Sequence, residues 1–218
     1  MNQAVVISEV FRLPSPAPSP QALACDGEHL WLGSTETNRI YGIDRAHFTV
    51  FEEADAKGGP IGAVCVGDEL RLVNSNDDED NRVIRRFVPG HGVKDSELLH
   101  CPNDTGSYLA FDGTFLWLTH AVDKRLLQLD ASGKALQTIA LELDGRSLAG
   151  IAFVGGSLFV SVRNHDNVSG FLIRMTTLED GSYERLADIP FRAVSLTHDG
   201  ARFWTSDKTK NELVAFEV

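Results

Sequence analysis

The sequence predicts an all-β protein, a five-bladed β-propeller of four-stranded antiparallel blades. Three observations support this fold class. A strand-loop-strand pattern occurs five times at a near-constant spacing, a tight-turn signature precedes each occurrence, and one strand at the N-terminus has no local partner. A repeat of this kind indicates structural units that bury their apolar surface against their neighbours.

The repeated pattern is an apolar strand followed by a polar loop and a second strand. Its five copies begin at Leu30, Leu70, Leu116, Leu158 and Phe203. The first residues of successive copies are separated by 40, 46, 42 and 45 positions. A period of this length predicts one supersecondary unit per copy.

A short apolar run ending in Asp-Gly or another glycine-containing turn lies directly before each copy. The five runs are LACDG (23–27), AVCVGD (63–68), LAFDG (109–113), IAFVGG (151–156) and LTHDG (196–200). Such turns between apolar runs are a strong hairpin signal. Each unit is therefore predicted to contain an inner strand, a tight turn, a second strand, a polar loop and a third strand.

A fourth strand follows in each of the first four units. The predicted fourth strands are His47–Glu53, Val93–His100, Ala135–Leu141 and Ser182–Ile189. The fifth unit reaches Val218 without one, so we predict that Val5–Leu13 joins the last blade and closes the ring. Closure of this kind leaves only short, protected sheet edges.

We expect one domain over residues 1–218, with blades at about 21–55, 60–101, 106–142, 148–190 and 193–218 plus 4–13. No run of about 18 apolar residues occurs, which predicts that no helix spans a membrane. The N-terminus lacks a basic and apolar leader pattern. Three cysteines cannot all pair, and Cys25 and Cys65 fall at one repeat position that favours small core residues. These features predict a reduced, cytoplasmic protein.

The net charge is −11, from 31 acidic and 20 basic residues. No run of Lys and Arg interleaved with aromatic residues is present. The charge therefore argues against nucleic acid and anionic membranes as partners. We expect a monomer whose partner is a small-molecule ligand or a protein bound at the channel mouth.

The stretch LWLGSTETNRIYGID, which begins at Leu30, resembles the repeat of the virginiamycin B lyase-like and NHL-type propellers. In those repeats a Trp-Phe-Thr-Glu type strand leads through an Asn to an Ile-rich strand that ends in Asp. The matching residues are Trp31, Glu36, Asn38, Ile40 and Asp44, with weaker matches at Trp117, Asp123, Leu127 and Asp130. The resemblance implies a propeller fold and makes a lyase one of the expected activities.

In a propeller, the loops before the inner strands and the loops between second and third strands converge at one mouth of the central channel. The candidate substrate-binding residues in those loops are Glu36, Asn74, Tyr108, Arg146, Arg163, Arg192, Asp207 and Lys208. The positive charges of the set are concentrated at this rim, although the chain as a whole is acidic. Arginine binds carboxylate and phosphate through a planar fork, so this rim predicts an anionic ligand.

His120 and His165 are the candidate catalytic residues. His120 ends the second strand of the third unit, and His165 lies in the corresponding loop of the fourth unit. A histidine with a near-neutral pKa suits proton transfer or metal binding, and we predict that both side chains face the mouth. The alternative for His120 is a surface histidine bonded to a loop carbonyl.

The acidic stretch NSNDDED (74–80) offers oxygen ligands for Ca²⁺ or Mg²⁺ but lacks the spacing of a calcium loop. We therefore expect either no cofactor or a divalent cation. Two classes of function stay open. One is a lyase or hydrolase acting on an anionic or carboxylate-bearing small molecule, and the other is a non-catalytic propeller that holds a ligand or protein at the same rim.

Overall fold

The computed structural model describes residues 5–75 and 81–218, which form a five-bladed β-propeller. The described strands form five four-stranded sheets in which neighbouring strands are antiparallel. The predicted fold class is confirmed. The repeat-level resemblance is also consistent with this architecture.

The first two blades follow the order of the chain. Blade 1 contains β2 (Pro20–Cys25), β3 (His29–Ser34), β4 (Arg39–Asp44) and β5 (Val50–Asp55). Blade 2 contains β6 (Gly59–Val66), β7 (Glu69–Ser75), β8 (Arg82–Val88) and β9 (Gly92–His100). The first strand of each blade lines the channel, and the fourth lies at the outside.

Blades 3 and 4 have the same order, and blade 5 differs by borrowing its outer strand. Blade 3 contains β10 (Leu109–Phe111), β11 (Leu116–His120), β12 (Arg125–Leu129) and β13 (Ala135–Ala140). Blade 4 contains β14 (Ser147–Val154), β15 (Ser157–Arg163), β16 (Gly170–Met175) and β17 (Tyr183–Ile189). Blade 5 contains β18 (Ala193–His198), β19 (Phe203–Asp207), β20 (Glu212–Glu217) and β1 (Ser8–Pro14).

The N-terminal strand closes the ring as predicted. β1 pairs antiparallel with β20, from Ser8 opposite Glu217 to Pro14 opposite Glu212. Immediately before β1, Ile7 donates its backbone N–H to the carbonyl of Asp188 in β17, at 3.0 Å between N and O. The N-terminal segment therefore completes blade 5 and also joins it to blade 4 by main-chain hydrogen bonds.

An ion pair strengthens this closure. Arg12 Nη1 of β1 lies 2.8 Å from Asp207 Oδ2 at the end of β19 and 2.6 Å from Glu212 Oε2 at the start of β20. The Asp207 carboxylate is buried, and its Oδ1 accepts the backbone N–H groups of Thr209 and Lys210. The guanidinium thus compensates a charge that would otherwise be buried alone.

The hydrophobic core is divided among the five interfaces between adjacent blades. Trp31, Trp117 and Trp204 occupy one repeat position, and each is 2% exposed. Trp31 packs between blades 1 and 2, Trp117 between blades 3 and 4, and Trp204 between blades 5 and 1. All three side chains therefore belong to the core.

The inner strands approach each other closely around the channel. A Cβ atom at Gly62 in β6 would lie 2.2 Å from the Ser107 carbonyl oxygen, and one at Gly150 in β14 would lie 2.4 Å from the backbone of Ser195. Any larger residue at these two positions would push neighbouring blades apart. The sequence therefore uses glycine where the backbones of adjacent blades come into contact.

Helix is almost absent. Within residues 5–75 and 81–218, the one helical segment is a 3₁₀ turn at Pro102–Asp104. No helix in this part of the chain is long and apolar enough to cross a membrane.

Candidate functional site

One mouth of the channel forms a pocket with contributions from all five blades. It has a volume of about 320 Å³. Segments at the start of the inner strands line it, together with residues at the ends of the second strands and in the loops to the third strands. The polar lining residues are Gln21, Thr35, Arg82, Ser107, Tyr108, Ser147, Arg163, Arg192 and Lys208. We call this cavity the mouth pocket.

The mouth pocket carries four positive charges. Arg82 belongs to blade 2, Arg163 to blade 4, and Arg192 and Lys208 belong to blade 5. Among the described residues, none of the four lies within ion-pair distance of a carboxylate, and no Asp or Glu lines the pocket. In a protein of net charge −11 these four cations are concentrated at one mouth, and no carboxylate in residues 5–75 and 81–218 neutralises them.

Hydrogen-bonding groups in the pocket are also left open. The Nε atoms of Arg163 and Arg192 are buried and have no hydrogen-bond partner among the described residues. Arg163 Nη1 contacts the Asn167 side chain at 3.3 Å, and Arg82 Nη1 donates to the Gly106 carbonyl at 2.6 Å. Buried donors are normally paired, so these two Nε–H groups are available to an acceptor that enters the pocket.

Tyr108 crosses the channel. Its hydroxyl accepts a hydrogen bond from Gln21 Nε2 at 3.2 Å, and Lys208 Nζ donates to Gln21 Oε1. Tyr108 starts blade 3 and Gln21 lies in blade 1, and these blades are not neighbours in the ring. The Tyr108 hydroxyl therefore links blades 1 and 3 across the channel, within the lining of the mouth pocket.

Burial and charge shift two pKa values in this network. Burial lowers the pKa of Lys208 below its ordinary value, and the nearby guanidinium groups of Arg192 and Arg163 lower it further. Burial raises the pKa of Tyr108, with opposing effects from Arg163 and Gln21. The site thus holds a phenol that retains its proton beside an ammonium group that releases its proton more readily.

Four of the predicted site residues come together here: Tyr108, Arg163, Arg192 and Lys208. Sequence reasoning missed Gln21 and Arg82. Gln21 is the second residue of an inner strand, in the same segment of its blade as Tyr108, and this repeat register was the available signal. Arg82 begins a third strand directly after a polar loop.

Asn74, His120 and Asp207 are buried and do not line the mouth pocket, and the site roles expected of them stay predictions. They share one repeat position with Ser34 and Val162, the fifth residue counted from the start of each repeat copy at Leu30, Leu70, Leu116, Leu158 and Phe203. All five side chains at this position are buried. Because side chains alternate along a strand, this position points to the same face as the first and third residues of each copy, into the interface with a neighbouring blade.

The polar members of this set bind backbone groups near their own blade. Ser34 Oγ donates to the Pro18 carbonyl at 2.6 Å, and Asn74 Nδ2 donates to the Ala56 carbonyl at 2.8 Å. Both carbonyls lie in the connection that leads into the inner strand. His120 interacts in the same way with the backbone of Thr105 and Pro102. The polar side chains at this position therefore anchor the connections between blades. This resembles the alternative for His120, a histidine bonded to a loop carbonyl, except that His120 is buried and not at the surface.

His120 lines a separate pocket of about 360 Å³ on the side of blade 3. Pro102, Asn103, Arg125 and Lys134 also contribute to it. The His120 side chain is 3% exposed, its Nε2 has no hydrogen-bond partner, and burial lowers its pKa despite the opposing charge of Asp123. The structure therefore places the imidazole, mostly neutral at pH 7, outside the mouth pocket.

His165, Arg146 and Glu36 lie outside the lining of the mouth pocket. His165 is exposed in the loop after β15, and its ring packs over Gly145. Arg146 binds Asn164 Oδ1 at 3.2 Å and Asp144 Oδ2 at 3.2 Å. Glu36 is exposed and accepts a hydrogen bond from Ser19 Oγ at 3.2 Å. The two candidate catalytic histidines do not share a pocket.

The possible metal-binding stretch can be described only at its start. Residues 76–80 lie outside the described residues. Asn74 is buried and anchors the chain before β6, and no residue within 5–75 or 81–218 pairs with its Oδ1. In the described ranges, no group of three or more His, Cys, Asp or Glu side chains is arranged to hold a metal ion.

The cavity at the opposite end of the channel is smaller. Its cavity of about 170 Å³ is lined by Cys25, Cys65, Phe111, Phe153 and His198, which share one repeat position. The cysteines are free thiols, and burial raises the pKa of Cys25 and Cys65. The four cations therefore lie at the mouth pocket, and this end carries thiols and His198.

No protein-family model and no curated protein sequence matches the chain. Solved propeller structures do match in fold. Aldose sugar dehydrogenase from Streptomyces coelicolor, in its PQQ-bound form, is 13% identical with a TM-score of 0.61 over 97% of this chain and 81% of its own. The calcium-binding protein regucalcin from Agrobacterium tumefaciens is 12% identical with a TM-score of 0.61 over 99% and 96%.

Virginiamycin B lyase from Staphylococcus aureus is also similar, at 15% identity and a TM-score of 0.53 over 94% of this chain and 68% of its own. Kuenenia stuttgartiensis hydrazine synthase is 14% identical with a TM-score of 0.55, and the match spans 64% of its chain. The four similar proteins differ in function, and at these identities the likeness concerns the fold alone.

Proposed function

We propose that this protein binds a small anionic molecule in the mouth pocket. The observation that carries the proposal is the uncompensated charge: four cations and no described carboxylate line a cavity of about 320 Å³ in an acidic protein. The four positive charges repel one another and attract an anion. The planar arginine guanidinium groups match the oxygens of carboxylate or phosphate. The ligand takes the place of the acceptor that Arg163 Nε and Arg192 Nε lack.

The test compares two probes that differ in charge. Benzoate is an anion and benzamide is its neutral counterpart of similar shape, and both are titrated calorimetrically at pH 7.5 and low salt. We expect benzoate to bind measurably and benzamide to bind at least tenfold more weakly. Added salt should weaken benzoate binding, because screening reduces the attraction. Equal binding of the two probes, or failure of benzoate to bind, would overturn the proposal.

Variants locate the site. Arg192→Met removes a mouth charge and should weaken benzoate binding about tenfold, which corresponds to about 1.4 kcal/mol. Arg125→Met is the matched control, since it removes the same charge from the separate pocket beside His120. The control should bind benzoate as the unmodified protein does.

The second candidate function is catalysis by a lyase or hydrolase on a carboxylate-bearing substrate. The hydrogen-bond chain from Lys208 through Gln21 to Tyr108 favours it. The lowered pKa of Lys208 suits a general base, and the raised pKa of Tyr108 suits a proton donor, while Arg163 and Arg192 would hold the carboxylate. Binding without turnover is the competing expectation, with a ligand or protein partner at the same rim.

Turnover of p-nitrophenyl acetate and p-nitrophenyl phosphate is the first assay for a hydrolase. If the mouth pocket is catalytic, Tyr108→Phe should reduce the rate by about 10²-fold or more while retaining benzoate binding, because it removes only the hydroxyl. His165→Ala should leave the rate unchanged. Turnover that survives in Tyr108→Phe and disappears in His165→Ala would transfer catalysis to the exposed loop of blade 4.

A further inference from the structure

The positive charges of the mouth pocket are distributed unevenly around the ring. Arg163, Arg192 and Lys208 come from blades 4 and 5, which are adjacent. Arg82 comes from blade 2, which lies across the channel from blades 4 and 5. Its Nη1 donates a hydrogen bond to the Gly106 carbonyl. Three of the four cations therefore form one cluster on one side of the pocket.

The three positive charges of the cluster exceed what one monoanion can neutralise. Arg192 and Arg163 both act electrostatically on Lys208, so the three groups are close enough to repel one another. A monoanion would leave two positive charges beside each other in a partly buried site. A dianion would reduce the surplus to one.

The donors of the cluster also outnumber the acceptors available to them. In the described part of the chain, Arg163 Nε and Arg192 Nε have no partner, and Lys208 has donors beyond the one that Gln21 accepts. The Tyr108 hydroxyl, which accepts from Gln21, still has a hydrogen to donate. A compact group with three or more oxygens satisfies these donors from several blades at once.

The remaining lining limits the size of the ligand. The volume of about 320 Å³ lies at the lower end of the range for ligand pockets, about 300–1,000 Å³. Beside the cluster, blade 3 contributes Ala121 and Val122 and blade 4 contributes Leu148, which are uncharged. A small uncharged body attached to the anionic group could lie against these side chains.

We propose that the ligand of the mouth pocket carries a compact dianionic group, such as a phosphate monoester or paired carboxylates, bound by Arg163, Arg192 and Lys208. This inference rests on the proposed anion-binding function and specifies its ligand class. Phosphate and dicarboxylate share the required double charge, and the experiment separates them.

Four probes with a common phenyl ring make the test: phenyl phosphate, phenyl sulfate, phthalate and benzoate. At pH 7.5 phenyl phosphate is mostly a dianion, whereas the sulfate has nearly the same shape and one charge. We expect phenyl phosphate or phthalate to bind at least tenfold more tightly than its monoanionic counterpart. Whichever of phenyl phosphate and phthalate binds more tightly identifies the dianionic group as a phosphate or a dicarboxylate.

Acidification gives a second readout for the phosphate arm. Lowering the pH from 7.5 to 5.0 converts the phosphate monoester to a monoanion, because its second pKa is about 6. The preference of phenyl phosphate over phenyl sulfate should then fall to about threefold or less. Lys208→Met should reduce the preference similarly at pH 7.5, whereas Arg125→Met should retain it, with melting temperatures confirming that both variants fold.

The outcomes distinguish this inference from the proposed function. If monoanions bind the pocket as tightly as the matched dianions, the dianion class is wrong and the anion site remains. If none of the four probes binds, both proposals are wrong. A dianion preference that Lys208→Met and Arg163→Met leave intact would show that the charges lie elsewhere.

Discussion

Trp117 donates its indole N–H to Asp112 Oδ2 at 2.8 Å, across the tight turn that joins the inner strand of blade 3 to the second strand. The other carboxylate oxygen accepts the backbone N–H groups of Thr114 and Phe115. One aspartate therefore fixes both the turn and the tryptophan. The same arrangement links Asp26 with Trp31 and Asp199 with Trp204.

The Asp112–Trp117 pair predicts coupled stability losses. Trp117→Ala should cost about 3–5 kcal/mol, because it empties a large aromatic site between blades. Asp112→Ala should cost about 1–3 kcal/mol through unpaired turn and indole donors. In urea unfolding, the double variant should lose less than the sum of the two. Asp166→Ala, which removes a turn carboxylate without a tryptophan partner, should be additive with Trp117→Ala.

Ring closure predicts that the N-terminal strand is essential. Deleting residues 1–13 removes nearly all of β1, exposes the edge of β20 and leaves Asp207 without Arg12. The product should aggregate or remain unfolded, as judged by size-exclusion chromatography and thermal melting. A truncated chain that stays monomeric with an unchanged melting temperature would contradict the closure.

A point variant tests the ion pair of the closure separately. Arg12→Met should lower the free energy of unfolding by about 3 kcal/mol, because the Asp207 carboxylate is buried and loses its cationic partner. Arg125→Met removes an exposed arginine for which the described part of the chain shows no ion pair, and it should have little effect. Equal unfolding energies for the two variants would mean that the pair contributes no stability.

The lowered pKa of His120 predicts a pH dependence of folding. Between its folded pKa and about 6.5, the unfolded chain binds a proton that the native state does not. The contribution of His120 to stability is therefore present above about pH 6.5 and is lost as the pH falls through the folded pKa. In urea unfolding between pH 7.5 and 5, the His120→Asn variant should lose less stability than the unmodified protein. Parallel losses would contradict a buried neutral imidazole.

His165 should behave as a surface residue. The His165→Ala change should alter the free energy of unfolding by no more than about 0.5 kcal/mol, because the side chain is exposed. Benzoate affinity should also stay the same, since His165 does not line the mouth pocket. A tenfold loss of affinity at an unchanged melting temperature would instead show that the loop of blade 4 contacts the ligand.

The strands and their order followed from local patterns. Leu30 and its equivalents recur with one period, and each follows a turn whose chemistry is visible in the sequence. Closure by β1 followed because the fifth unit had three strands. These features are local or periodic, so one sequence was enough to predict them.

The direction of side chains at the mouth was harder to predict. Arg163 and Val162 are adjacent, yet one lines the mouth pocket and the other is buried between blades. His120 aligns with Val162, and a shift of one residue in the register reverses the predicted face. Gln21 was missed because its role depends on Tyr108, a partner 87 positions away.

The pairing of β1 with β20 also affects when the protein can fold during synthesis. Residues 8–14 emerge from the ribosome before any blade is complete, but their hydrogen-bonding partners at 212–217 are made about 200 residues later. Blades 1 to 4 can assemble in order as they emerge, whereas the fifth sheet requires strands from both ends of the propeller. Until then β1 lacks its main partner strand, and the interface of blade 5 with blade 1 cannot form. The chain is therefore most prone to aggregation before blade 5 is complete, and its need for chaperones should be greatest at that stage.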